Sequence, residues 1–165
     1  MAHGANGSAC LWTGRVTGAP PLTRSFEFFL PLHRAIYVSD AVGEAATSLL
    51  VLAEILGASL RNNRRDRITG VLMRHEGRFL QAIEGRRADV DRLMDRLRAD
   101  PRHENIRLLS DQNTAVRLFE EWPMTLVEMP RPVWPHMSRP SLDQLSAAQA
   151  EALLVTASEV LALSA

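Results

Sequence analysis

The chain contains no lysine. All 19 basic side chains are arginine, and 19 acidic residues bring the formal net charge to zero. A balanced charge leaves no broad electrostatic footprint for nucleic acid or an anionic membrane. The arginine-only complement reads as compositional bias. A single cysteine, Cys10, excludes an intrachain disulfide framework and any CxxC redox or zinc motif. The five histidines are scattered, with no HxxxH or HExxH pair, so no metal site is expected. Aromatic residues make up only 5% of the chain, and Tyr37 is the sole tyrosine. No apolar run reaches the roughly 20 residues of a membrane span. The apolar stretch Phe26–Leu32 is broken by Glu27 and Pro31 and does not make a signal peptide. The expected localisation is cytoplasmic. With 165 residues the chain can bury one substantial core, but not two.

The clearest local pattern is ITGVLMRHEGRFLQAIEG, Ile68 to Gly85. Two strand-like runs, Ile68–Arg74 and Arg78–Glu84, flank Glu76-Gly77 and predict a hairpin. Alternation on the second run places Phe79, Gln81 and Ile83 on one face and Leu80 and Ala82 on the other. Gln81 is a primary amide on an otherwise apolar face, where an unpaired polar group costs roughly a few kcal/mol.

Residues 1–32 are rich in Gly, Ala, Thr and Pro and read as a loose extension. Arg34–Ser39 predicts a first strand, with Ala35, Tyr37 and Ser39 opposite Ile36 and Val38. A helix is expected from about Ala45 to Leu60, with the stripe Leu49, Leu52, Ile55 and Leu56. Asn62-Asn63 should follow at its C-terminal end, where asparagine tolerates left-handed backbone. A second helix should span about Ala88–Ala99, its stripe Val90, Leu93, Met94 and Leu97 edged by Arg96. Ile106–Ser110 and Trp122–Glu128 read as two further strands joined by a polar loop through Arg117. Residues 130–140 form a Pro-rich linker. Ser141 with Gln144, and Ser146 with Gln149, are capping-box patterns that predict a short turn and then a helix from Ala147 to about Leu163. The order β-α-β-β-α-β-β-α implies an α+β, ferredoxin-like βαββαβ sandwich with an added strand. Two helices cover one face of the sheet. The C-terminal helix, within residues 141–165, is the natural cover for the other, where Ile36, Val38, Leu80 and Ala82 are expected together with Leu72.

The polar misfits then converge. Tyr37 and Gln81 lie on the two central strands and face the helix layer. Ile55, Asn62 and Asn63 share a stripe of the first helix, and Arg96 sits on the second. Singly, a core tyrosine, a helix-capping asparagine and a snorkelling arginine are the commoner explanations. Together they form a site for a planar ligand with many acceptors and a phosphate.

The text AIYVS around Tyr37, RNN and ITG over Arg61–Gly70, GRFLQAIEG over Gly77–Gly85, DPRH at Asp100–His103 and FEEWPM at Phe119–Met124 resembles the BLUF domain, a blue-light sensor that uses FAD. The resemblance runs from Arg34 to Met129 in unbroken order and makes residues 33–129 the flavin-binding domain. It implies that Tyr37 is the photoactive tyrosine and Gln81 the switching glutamine. It implies that Asn63 holds the carbonyl edge of the flavin beside Asn62. Ser39, Ile55, Arg96, Leu97, Asp100 and His103 would be further cofactor contacts. Trp122 and Met124 would compete for the place next to Gln81. Arg67 departs from the family pattern, in which a small residue often precedes ITG.

The resemblance further implies FAD, with FMN possible, bound without a covalent bond. Light would drive electron and proton transfer from Tyr37 through Gln81, leaving Gln81 rotated or tautomerised with a new hydrogen bond to the flavin. The chain would then be a sensor and not an enzyme. It would form a homo-oligomer, act on a downstream effector protein, and bind neither nucleic acid nor membrane. A flavin-dependent enzyme and a cofactor-free interaction module are the alternatives. The first lacks a nicotinamide fingerprint or catalytic dyad in this sequence. The second leaves Tyr37, Gln81 and Asn63 unexplained.

Overall fold

The computed structural model describes residues 31–130 and 141–164. The expectations for the N-terminal extension and the Pro-rich linker fall, but for Pro31, Leu32 and Pro130, outside these residues. Five strands form one sheet: β1 (Leu32–Ala41), β2 (Thr69–His75), β3 (Arg78–Arg86), β4 (His103–Thr114) and β5 (Thr125–Val127). Their spatial order is β4-β1-β3-β2-β5. The neighbouring pairs are antiparallel except β2 and β5, which run parallel. This is the ferredoxin-like sheet with one added edge strand. Helices α1 (Leu49–Arg65) and α2 (Arg87–Arg98) cover the inner face, and α3 (Ala147–Ser164) covers the outer one.

The hairpin forms as its sequence dictates. Glu76 and Gly77 both have positive φ, 48° and 72°. That is the two-residue turn whose twist suits a tight hairpin. It pairs His75 with Arg78 and, three pairs further along the ladder, sets Leu72 opposite Gln81. Paired residues share a face, so Leu72 belongs to the inner layer with Leu52, Phe79 and Met124. Its expected place on the outer face is corrected; Val71 and Met73 are the β2 residues there.

The first helix starts and ends later than expected. Gly43–Ala46 is a short 3-10 turn, and the Ser48 hydroxyl caps α1 by accepting from Val51 N at 3.3 Å. Serine competes for the backbone at this point and so sets the boundary. Leu49 consequently falls on the first turn, 66% exposed, and leaves the core stripe. At the far end Ile68 N donates to Asn63 O at 2.8 Å and Arg67 N to Arg64 O at 3.3 Å, with Arg67 at φ 52°. This is the paired-bond termination with a left-handed residue just beyond the cap. Asn62 and Asn63 therefore lie inside the last turns of α1, and Arg67 takes the left-handed position. The family's small residue there is explained by the same backbone.

Strand β4 is longer than its apolar run because the backbone pairing with β1 continues through Asp111–Thr114. Polar residues suit that exposed edge. Strand β5 is shorter than Trp122–Glu128. Pro123 has no N–H for a ladder, and the Trp122 carbonyl is taken by Gly70 N at 2.8 Å.

Of the two capping boxes, Ser146 and Gln149 form theirs: Gln149 N donates to the Ser146 hydroxyl, and Ser146 N to Gln149 Oε1. Ser141 makes no such cap; its hydroxyl bonds Asp143 instead, ahead of the short 3-10 turn Leu142–Gln144. By length and composition α3 could cross a membrane. Here Ala150, Leu153, Leu154 and Ala157 bury against Ile36, Val38, Leu80 and Ala82. Val160, nearer the C-terminal end of the helix, is exposed.

Candidate functional site

The inner core is split. One cluster lies under α2 and holds Ala35, Tyr37, Ile83, Val90 and Met94. The other lies under α1 and holds Leu52, Leu72, Phe79 and Met124. Between the helices runs a cleft of about 190 Å³. From α1 it is lined by Ile55, Ala58, Ser59, Asn62 and Asn63, and from α2 by Leu93, Arg96 and Leu97, with Asp100 and Arg102 at one end. The α1 positions follow i, i+3, i+4, i+7 and i+8, which is one helix face. Ala58 and Ser59 were not singled out from sequence, yet that periodicity marks them, and their small side chains leave the cleft open.

Tyr37 and Gln81 are direct partners across β1 and β3. The Tyr37 hydroxyl donates to Gln81 Oε1, and Gln81 Nε2 donates to Met124 Sδ at 3.0 Å. Tyr37 is fully buried and Gln81 is 5% exposed. Burial, with the Asp100 carboxylate as a smaller cause, pushes the Tyr37 phenol well above its ordinary value. It stays protonated across the physiological range.

Asn63, 1% exposed, donates through Nδ2 to the Pro123 carbonyl at 3.0 Å. That acceptor is a backbone group, so side-chain patterns in the sequence carried no trace of it. Among the described residues Asn63 Oδ1 is buried with no hydrogen-bond partner. A buried orphan acceptor is costly unless a ligand satisfies it. Asn63 thus ties the cleft it lines to the segment that carries Met124.

Ser39 Oγ and His103 Nδ1 lie 3.0 Å apart, both buried. The His103 ring is 4.8 Å from Phe79 and 6.2 Å from Tyr37, centroid to centroid. Burial lowers the His103 pKa, opposed by Asp100 and reinforced by Arg102. Asp100 is held below the usual carboxylate range chiefly by its hydrogen bond from Arg102. Arg96 does not reach the interior. Its side chain is 46% exposed where it lines the cleft and is paired with Asp66 at 3.7 Å, so an anion bound there would compete with that carboxylate.

The expected residues thus fall into a cleft set (Ile55, Asn62, Asn63, Arg96, Leu97 and Asp100), a buried chain (Tyr37, Gln81 and Met124) and the pair Ser39–His103. Trp122 joins none of these. It packs on the outer-face cluster with α3.

The architecture is that of a ferredoxin-like sandwich with a ligand cleft between its two inner helices. The amide edge of Asn62 and Asn63, the apolar Ile55, Leu93 and Leu97 and the cation of Arg96 fit a flat heteroaromatic ring with a carbonyl edge and a phosphorylated tail. Residues 32–125 match the model of the BLUF family, described as sensors of blue light using FAD, and the chain belongs to that family. The photoactivated adenylate cyclase subunit beta of Euglena longa is 32% identical over 93 residues, which are 56% of this chain and 11% of that protein. The chain therefore spans about a tenth of the length of the curated relatives it matches. The BLUF protein BlrB in its dark state superposes with a TM-score of 0.67 at 30% identity, covering 79% of this chain and 96% of that one. BlsA in its photo-activated state gives 0.67 at 26% identity, covering 76% and 94%. The chain is a blue-light sensor domain of a flavin-binding family.

Proposed function

We propose that the chain is a blue-light photoreceptor, not an enzyme, that binds FAD non-covalently in the α1–α2 cleft and signals to a separate effector protein from the cytoplasm, as a homo-oligomer and without contact to nucleic acid or membrane. The observation that carries this reading is the buried chain from Tyr37 through Gln81 to Met124 beneath that cleft. FAD is preferred to FMN because the family is described by it.

The bound flavin would supply absorption of blue light and an electron-accepting ring. Tyr37 holds the proton. A phenol that loses an electron becomes a strong acid, and its proton already points at Gln81 Oε1. The Asp100 charge that raises the phenol's pKa also favours removal of an electron from it. Gln81 carries donors and an acceptor on one group, so rotation or tautomerisation exchanges what it offers to its neighbours. Its partner here, the Met124 thioether, is a weaker acceptor than a carbonyl and yields the amide more readily. Asn63 Oδ1 would fix the ring edge, and Ile55 and Leu97 would exclude water from it.

Purified protein should be yellow, release FAD on denaturation, and show a small reversible red shift under blue light. Colourless protein that takes up neither added FAD nor FMN would overturn the reading. Released FMN would overturn only the choice of FAD.

A further inference from the structure

Glu84 is completely buried on the outer face of β3. Its carboxylate accepts from Arg34 Nε at 2.7 Å, from the backbone N–H of Leu118 at 2.9 Å and Phe119 at 3.1 Å, and from the Thr69 hydroxyl at 3.4 Å. Arg34 is its direct cross-strand partner on β1 and is also buried. The remaining guanidinium nitrogens of Arg34 donate to the Val116 carbonyl at 3.1 Å and to Glu151 of α3 at 3.0 Å. One guanidinium is thus shared between the sheet, the segment after β4 and the C-terminal helix.

That segment leads straight to the photoactive residues. Beyond Phe119, the Trp122 carbonyl is held by Gly70 N and the Pro123 carbonyl by Asn63. Met124 Sδ follows, against Gln81. Apolar contacts under α3 are non-directional and tolerate small displacements. Charge-assisted hydrogen bonds depend on geometry. A guanidinium bound to three groups cannot follow a shift of the 116–124 segment without changing its bond to Glu151.

We infer that Arg34 and Glu84 are positioning residues, setting where Met124 sits against Gln81, and that the Arg34–Glu151 ion pair couples that segment to α3. The inference rests on the reading of Gln81 and Met124 given above. Glu151 lies outside the residues matched by the family model, so this coupling belongs to the chain's own C-terminal helix.

Amide hydrogen exchange of the full-length protein in the dark and under blue light tests it, with the visible spectrum as an independent readout. In Glu151→Gln the dark spectrum and the red shift should match the wild type. Amides of α3 should exchange about tenfold faster in the dark, the local opening expected when a directional contact is lost. The light-minus-dark difference in α3 should vanish while that of residues 117–124 persists. Arg34→Lys keeps the charge but cannot span three acceptors, so it should act alike in α3 and also alter the recovery rate of the red shift several-fold, since Met124 is less well placed. A wild-type light response of α3 in Glu151→Gln overturns the coupling, as does a wild-type protein whose α3 does not respond to light. The dark arm needs no photochemistry. Unchanged α3 exchange in Glu151→Gln overturns the ion pair's role even if no red shift occurs, whereas an absent red shift with faster α3 exchange faults only the photoreceptor reading.

Discussion

Gln81 Nε2 donates to Met124 Sδ at 3.0 Å, while Trp122, two residues before Met124, packs on the opposite side of the sheet. The glutamine's partner is therefore the thioether and not the indole. Met124→Leu keeps the volume and removes the acceptor. The orientation of Gln81 seen here loses roughly 0.5–1.5 kcal/mol. Return to it after illumination should slow about two- to tenfold, in proportion to that loss. Trp122→Phe should leave the decay within about twofold, since it lies outside the hydrogen-bonded chain. Decay of the red-shifted absorbance after a flash measures both. Equal effects from the two variants would place the indole at the site as well.

Why the sequence left Trp122 and Met124 unresolved is physical. Residues i and i+2 share a face only within a strand, and the ladder begins after Pro123. The faces of Tyr37 and Gln81 were legible because both lie deep inside long strands, where alternation holds. Their adjacency followed from the fold's strand order. Leu72 was misplaced because its own strand was read without the register across Glu76-Gly77; the pairing with Gln81 fixes its face. The separate β1–β3 register that pairs Tyr37 with Gln81 also sets Arg34 opposite Glu84. The later end of α1 was hidden because asparagine both caps helices and lines clefts. Only the left-handed Arg67 decides between them.

Tyr37 is the only tyrosine, so phenolate absorbance reports it alone. Its folded pKa lies above the unfolded value of about 10. The folded state then holds a proton that the unfolded state gives up. Stability should be level with respect to this group below about pH 10 and fall as pH rises beyond it. Phenolate should appear only together with loss of structure by circular dichroism. A reversible titration near pH 10 in protein that remains folded would show the phenol to be solvated. Tyr37→Phe should flatten this alkaline limb. It should also keep flavin binding while abolishing the red shift, because the transferable proton is gone.

Asn63→Ala removes both the orphan Oδ1 and the bond to the Pro123 carbonyl. If the amide satisfies the edge of the flavin ring, affinity should fall by roughly 1–3 kcal/mol, about five- to 150-fold in Kd. Asn62→Ala, at an exposed cleft position, should cost less. Titration of apoprotein with FAD, followed by flavin fluorescence, measures the difference. Equal affinity for Asn63→Ala and wild type would remove Asn63 from the ring contact.

The outer sheet face offers Ile36, Val38, Leu80 and Ala82, and α3 covers it with Leu153, Leu154 and Ala157. Complete burial of each large side chain contributes roughly 1.5–3 kcal/mol before the entropy of ordering the helix is subtracted. The helix is thus held firmly, yet no group of the cleft belongs to it. Deletion of residues 141–165 should leave flavin binding and the size of the red shift close to wild type. It should also expose the apolar face, raise binding of a hydrophobic dye, and promote association. Leu80 and Ala82 flank Gln81 on β3 but point to this face, so a rearrangement at Gln81 has a short path to it. Light-dependent change in assembly should therefore be lost in the truncated protein, as read by size-exclusion chromatography in the dark and under blue light. If the truncated protein still changes its assembly with light as the full chain does, α3 is only a cover and the signal leaves through β4, β5 or the inner helices.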